Sequence, residues 1–378
     1  MKRLTLLAAS ALAAFGTWAA SLTMGDLSMS GNTLSIPVTV SGGGDVSLYF
    51  GSAEPKDGEP VPGAAAVETK AAADGDTVTF TQTVVLGKKI AYRLVVEGDE
   101  KSGTYEVADT ARYQWNDSAG GRWSDATKWI FETNPNDGLE RLGYPSYGSF
   151  FVFKGFADTA LTVEIDGVYG QFAESRIGSD NEHMELTLKG VVSGAELKID
   201  SLANQGTYVG NSLTLDNVTI PNIQKWVVRD NCTLSVTNGA VLKSGWEFRV
   251  AKTNAKLYVG PGGTVETSVR EPYHRLGLAG DGAEIVIEDG TLVVGNTLQI
   301  CNSDDGTATS PKGITFKGTR PQMQIKGYAK SYQSEGQTAP ALTFLVPADG
   351  YERAPIVKAG TESDHSFIDL DNSSQKLR

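Results

Sequence analysis

The sequence has few of the residues from which metal-dependent and nucleophilic active sites are commonly built. Only three histidines and two cysteines occur among 378 residues, and His183 and His365 each stand alone. We find no phosphate-binding glycine loop, no nucleophile elbow and no two-histidine metal motif. These absences argue against zinc, thiol and nucleotide chemistry, and the sequence predicts no cofactor.

Positive charge and long apolar runs are also scarce. Lys and Arg number 33 against 45 Asp and Glu, which gives a net charge of -12. Because such a surface repels phosphate backbones, we expect no nucleic-acid partner. After the first twenty residues no apolar run reaches the 18 or so residues that a membrane-spanning helix needs. We therefore expect no transmembrane segment in the mature chain.

The first 19 residues have the pattern of an export signal. A basic start, Met1-Lys2-Arg3, precedes an uncharged apolar run from Leu4 to Gly16. Small residues at Thr17 and Ala19 then frame a cut after Ala19. We predict a signal peptide over 1–19 and a mature protein that is secreted or held at the cell surface.

Glycine and short apolar pairs are what the sequence has in quantity. Glycine occurs 43 times, mostly at predicted turns. Seven apolar pairs, each flanking a single residue, recur in steps of 21 to 29 residues. The pairs are Val163/Ile165, Leu186/Leu188, Leu213/Leu215, Leu234/Val236, Leu257/Val259, Ile285/Ile287 and Ile314/Phe316. Strands repeated at this period predict a stacked solenoid, a parallel β-helix over 112–326.

The repeat decides the expected state of the two cysteines. Cys232 and Cys301 precede apolar pairs that lie three rungs, or turns of the solenoid, apart. Three strand spacings separate them by about 14 Å, whereas a disulfide requires Cα atoms within about 7 Å. We predict two free, buried thiols.

Residues 20–108 lie outside the repeat and alternate apolar and polar residues over short segments, as in Leu34–Val40. Turns rich in Gly, Pro and Asp separate these segments, which predicts a β-sandwich. Leu86 stands six residues before Tyr92, and this spacing resembles the tyrosine corner of fibronectin type III domains. That resemblance implies an Ig-like spacer or binding module, with Tyr92 in a structural role.

The segment before the repeat is rich in tryptophan. Trp115, Gly121–Ser124 and Trp129 are followed by Pro145 and the aromatic strand Phe150–Phe153. This order resembles the opening segment of bacterial extracellular β-helix proteins of the autotransporter-associated β-strand-repeat and pectin-lyase-like types. The resemblance implies a right-handed parallel β-helix outside the cell. Residues 327–378 are predicted to form an excursion, one or two last strands and a polar tail.

Two interpretations of Trp115, Trp123 and Trp129 remain open. Flat indole rings stack on sugar faces, so the three could form a glycan-binding platform. An open end of a solenoid also exposes apolar core and unpaired backbone, which bulky rings can cover as a cap. The position just before the first repeat favours the cap.

Candidates for catalysis are limited to one polar cluster and one pair of acids. Arg270, Glu271, His274 and Arg275 would place bases beside a carboxylate, as a lyase requires, although a solvated loop has the same composition. Asp304-Asp305 would supply two of the six or more oxygen ligands that Ca²⁺ takes, or form an ordinary turn. We predict no other metal site.

We expect an all-β chain with a non-enzymatic role, an adhesin or structural scaffold. Its partner would be an extracellular polysaccharide or the surface of a host or neighbouring cell. Two alternatives stay open: a polysaccharide lyase or glycoside hydrolase on the same fold, and a passenger fragment of a longer autotransporter. Ladders of Thr and Asn on an outer face would favour the scaffold, and acidic and basic residues clustered across adjacent rungs would favour the enzyme.

Overall fold

The chain is all-β. The computed structural model describes residues 19–53, 62–63, 65–156, 158–178, 183–204, 211–268, 275–300, 311–326, 328–331, 344–345 and 356–359. Within these ranges the only helical element is a single 3-10 turn, Ala126–Lys128. None of the described residues forms a helix with the length and hydropathy to cross a bilayer. The chain divides into two compact units after Val107.

The first unit contains two antiparallel sheets of four strands each. One sheet has β3 between β6 on one side and β1 and β2 on the other, and the other has the order β5-β4-β7-β8. The strands are β1 (Ser21–Met24), β2 (Ser28–Ser30), β3 (Thr33–Ser41), β4 (Gly44–Ser52), β5 (Glu68–Ala72), β6 (Thr77–Thr83), β7 (Lys89–Val96) and β8 (Asp99–Glu106).

Alternation along β3 explains the burial in this unit. Its four apolar side chains, Leu34, Ile36, Val38 and Val40, are buried, while the residues between them are not. Tyr92 lies across Gly103 of β8, where an added Cβ would come within 2.5 Å of the tyrosine hydroxyl. The Tyr92 ring therefore covers a glycine on the neighbouring strand, which is a structural role.

The second unit is a parallel β-solenoid. Its strands form a nine-stranded sheet (order β10-β13-β15-β17-β19-β21-β24-β27-β30) and a fourteen-stranded sheet that starts β11-β9-β12-β14. The strands are β9 (Arg112–Trp115), β10 (Gly121–Arg122), β11 (Trp129–Phe131), β12 (Phe150–Phe153), β13 (Thr159–Ile165), β14 (Val168–Ile177), β15 (Met184–Gly190), β16 (Glu196–Asn204), β17 (Ser212–Asp216), β18 (Thr219–Val228), β19 (Thr233–Thr237), β20 (Val241–Val250), β21 (Lys256–Val259), β22 (Thr264–Thr267), β23 (Arg275–Leu278), β24 (Glu284–Glu288), β25 (Thr291–Val294), β26 (Thr297–Ile300), β27 (Gly313–Lys317), β28 (Gln322–Ile325), β29 (Tyr328–Ser331), β30 (Phe344–Leu345) and β31 (Ile356–Ala359).

The apolar pairs stack as predicted, with one correction. From β15 to β27 each pair lies directly on the next, so that Leu188, Leu215 and Val236 form part of one buried column. The first predicted pair is displaced by two residues, because Leu186 and Leu188 stack on Leu161 and Val163. Ile165 lies opposite Gly190 instead.

Asparagine at the corners sets the turns between strands. Asn217, Asn231, Asn238 and Asn254 all have positive φ, between 52° and 54°, a backbone conformation that asparagine tolerates better than most residues. The side chain of Asn254 donates to the Oδ1 atom of Asn231 one rung earlier, at 3.0 Å. This hydrogen bond links two successive rungs at one corner of the solenoid.

Cys232 is a free, buried thiol directly before β19, as predicted. Cys301 lies outside the described residues, so its state stays a prediction. Most of the predicted excursion and tail over 327–378 is outside them too, although β29, β30 and β31 extend both sheets.

We expect Cys232 to resist a thiol reagent in the folded protein and to react once the chain is unfolded. Burial raises the pKa of Cys232 to about 11, and the thiolate is the reactive form. The measurement is a colorimetric thiol titration without reductant, before and after addition of guanidinium. Unfolding should release two thiols per chain. Zero would contradict the prediction of two free cysteines by revealing a disulfide.

Candidate functional site

The three tryptophans lie in the core of the solenoid's first end. All three tryptophans are buried. Trp115 ends β9, Trp123 directly follows β10 and Trp129 begins β11, and these strands begin the two sheets. The rings pack edge to face, with centroids 4.9 Å apart for Trp115 and Trp129 and 5.0 Å apart for Trp123 and Trp129. Because all three rings are buried, none offers an open face to a sugar, and this favours the cap over the glycan platform.

Each indole N–H in this cap has a backbone acceptor. Trp115 donates to the carbonyl of Asp117 at 2.5 Å, and Trp123 donates to that of Pro145 at 3.0 Å. Trp129 donates to the carbonyl of Trp123 at 2.9 Å. A buried donor is costly when it is unpaired. These bonds pair each indole N–H and also fix the orientation of its ring.

A buried ion pair supports the same end. Asp109 is fully buried and accepts hydrogen bonds from the Tyr113 hydroxyl at 2.6 Å and from Arg141 Nε at 3.1 Å. The same guanidinium binds Asp137, whose pKa it lowers to about 2. Sequence reasoning missed this pair, because Asp109 and Arg141 are 32 residues apart and neither belongs to a recognisable motif.

A second carboxylate ties the cap to the first rung. Asp166 accepts from Ser124 Oγ at 2.6 Å and from the Tyr169 hydroxyl at 2.7 Å. Tyr169 in turn stacks on Trp123, with ring centroids 5.9 Å apart. The Asp166 carboxylate therefore holds Ser124, beside Trp123, and Tyr169, which stacks on it, in one hydrogen-bonded clamp.

Two buried tyrosines and one buried cysteine have raised pKa values, which predicts that the protein loses stability at alkaline pH. Burial, reinforced by Asp109 and Asp166 respectively, raises the pKa of Tyr113 and Tyr169, and burial also raises that of Cys232. These groups stay protonated in the folded state above their ordinary values of about 8.5 for Cys and 10 for Tyr. The contribution of these groups to the free energy of unfolding should therefore be fully present below pH 8.5 and be lost as pH rises through the folded pKa values.

Urea unfolding at pH 7, 8.5, 10 and 11 measures this effect. Equal unfolding free energies at pH 7 and 11 would contradict it. The Cys232→Ala variant serves as a control, because its loss above pH 10 should come from the tyrosines alone.

The predicted catalytic cluster is outside the described residues except for the backbone of Arg275. Arg275 begins β23, where it pairs with Glu247 of β20, while Arg270, Glu271 and His274 are not described. The Ca²⁺ candidates Asp304 and Asp305 also lie outside. Across the described ranges no group of three or more His, Cys, Asp or Glu side chains is arranged to hold a metal.

Hydroxyl side chains form a ladder on the outer face of the nine-stranded sheet. Thr162, Thr187, Thr214 and Ser235 occupy paired positions on four consecutive strands. They alternate with the buried apolar pairs and are half-buried to exposed. None of the four hydroxyls has a hydrogen-bond partner among the described residues, so a regular row of donors and acceptors about 4.8 Å apart faces outward.

Charges beside this ladder alternate in sign. Arg122, Glu164, Lys189 and Asp216 occupy successive paired positions. Arg122 Nε and the Glu164 carboxylate are 3.9 Å apart. Because each charge faces an opposite charge on the next strand, this column presents no local excess of either sign.

One tryptophan is displayed to solvent, and sequence reasoning passed over it. Trp246 of β20 is 49% exposed, whereas Trp226, one rung earlier, is fully buried. The register of β18 and β20 is irregular between Ile223 and Lys225, and this irregularity brings Phe248 over Trp226 and leaves Trp246 at an outer corner.

Comparison with protein-family models, with curated proteins and with solved structures found no match. The function therefore has to be argued from the arrangement of this chain's own residues.

Proposed function

We propose that the protein is a non-enzymatic, exported scaffold whose solenoid contacts an extracellular polysaccharide or a cell surface. Its solenoid would be a right-handed β-helix of the extracellular bacterial type, and residues 20–108 would act as a fibronectin type III-like spacer. The resemblance of the tryptophan-rich segment and the predicted signal peptide support this placement outside the cell.

The hydroxyl ladder is the observation that carries the proposal. It presents a straight row of hydroxyls along the solenoid axis, those of Thr162, Thr187, Thr214 and Ser235. None of them has a hydrogen-bond partner among the described residues. A polymer with repeated hydroxyl groups can hydrogen-bond to such a row at several points, and many weak contacts on one rigid face add up to useful avidity. The charges in the neighbouring column from Arg122 to Asp216 alternate in sign and cancel, which suits an uncharged partner.

The test is incubation of the purified protein with insoluble polysaccharides, with and without Ca²⁺, recording both retention and new chain ends. We expect retention without cleavage. The double variant Thr187→Glu/Thr214→Glu should lose most of it, because two carboxylates would replace two hydroxyls on the same strands. Glu185→Gln, on the same strand but outside the row, is the control.

New chain ends would overturn the non-enzymatic proposal and direct mutagenesis to Arg270–Arg275. Retention that the double variant keeps in full would remove the hydroxyl ladder from the contact.

A further inference from the structure

We propose that the corner at Trp246 is a separate site for one neutral pyranose unit, in which the indole ring stacks on the sugar face. This inference rests on the proposed polysaccharide partner and assigns it a second, discrete contact. Of the five tryptophans that the structure describes, four are buried and only Trp246 is exposed. An isolated exposed apolar side chain is ordinary, so the neighbours of Trp246 decide the matter.

Polar side chains free to bind a ligand lie on the rung before Trp246. Ile223 pairs with Ser244 and Lys225 pairs with Glu247, so Gln224 lies opposite the stretch that contains Trp246. Asn222, Gln224 and Lys225 are all exposed. Within the described part of the chain, none of these three side chains forms a hydrogen bond or ion pair.

Gly245 shapes the corner beside the indole. An added Cβ at Gly245 would come within 2.1 Å of Asn222 Oδ1. The absence of a side chain at 245 therefore leaves room for the Asn222 amide against the backbone of the residue before Trp246. An indole with a free amide on the neighbouring rung combines a flat apolar surface with directional hydrogen-bonding groups, as sugar hydroxyls around an apolar ring face require.

The charge of the whole chain favours a neutral sugar over an acidic one. Glu247 and Arg249 bind each other, with a 2.6 Å hydrogen bond from Arg249 Nε. Lys225 is the one cation near the corner without an ion-pair partner among the described residues. Asp200 directly precedes the residue paired with Lys225, and its carboxylate accepts a hydrogen bond from Gln171 Nε2 at 3.0 Å. Charges of both signs thus lie on the strands around Trp246, and the whole chain at -12 repels a polyanion.

Fluorescence isolates this site. Soluble cellohexaose, xylohexaose and mannohexaose serve as neutral probes, with an acidic galacturonate oligomer as the comparison. We expect a neutral probe to protect one accessible tryptophan from acrylamide quenching in the wild type, and Trp246→Phe to lack that component. Trp246→Ala should weaken binding about tenfold, as loss of an aromatic anchor commonly does, and Gln224→Ala should weaken it less.

The matched control is Val168→Ala, which truncates a side chain that is 51% exposed at another corner and should leave binding unchanged. Circular dichroism checks that each variant is folded. Unchanged binding in Trp246→Ala, no protection by any neutral probe, or protection by the acidic oligomer alone would each overturn this site. The proposed function fails differently, through a wild-type protein that no polysaccharide retains.

Discussion

We expect Leu215→Asp to destabilise the protein by about 5 kcal/mol or more and to unfold several rungs together. Leu215 is fully buried between Leu188 and Val236. The substitution removes a core leucine, which alone costs about 2–5 kcal/mol, and places a carboxylate in an apolar column, which adds a desolvation penalty of several kcal/mol. Because each rung pairs its backbone with both neighbours, the damage should spread along the stack.

Urea unfolding followed by circular dichroism gives the size of the effect, and hydrogen exchange gives its extent. Exchange should rise in β15, β17 and β19 together. Thr214→Asp is the matched control, since it introduces the same charge on the same strand with the side chain facing outward, and its cost should stay within about 1 kcal/mol. Faster exchange confined to β17 would contradict a cooperative stack.

The second large effect is expected at the cap. Trp123→Ala should cost about 3–5 kcal/mol, the range for truncating a buried aromatic residue. The Trp123 ring packs against five other rings at centroid distances of 5.0 to 6.4 Å, those of Trp129, Phe151, Phe172, Tyr169 and Phe153. The substitution also leaves the Pro145 carbonyl without its indole donor.

The loss should be greatest at the first end of the solenoid. Hydrogen exchange should rise first in β12, β13 and β14, and the newly exposed core should bind an apolar dye. Trp246→Ala provides the comparison of the same chemical change at an exposed position, and its cost should be about 1 kcal/mol or less. Equal losses in the two variants would mean that Trp123 does not act as a cap.

The sequence by itself determined the all-β class, the solenoid and the buried pairs from Leu186 to Phe316. These features follow from local rules. Alternation selects which side chains face inward, and Asn and Gly mark the corners because they tolerate positive φ. The free state of Cys232 followed from counting rungs. The cap was also predictable in place, since an open solenoid end has to be covered.

The tertiary structure decided between side-chain placements that the local sequence pattern allows equally. Leu161, Val163 and Ile165 all satisfy the same alternation, so only pairing with β15 could select the first two. Trp226 and Trp246 are both strand tryptophans, and an irregularity in register sends one inward and the other to solvent. The Asp109–Arg141 ion pair joins residues brought together by the fold alone. In each case the deciding contact is with a distant strand or loop, and that contact has no signature in the neighbouring sequence.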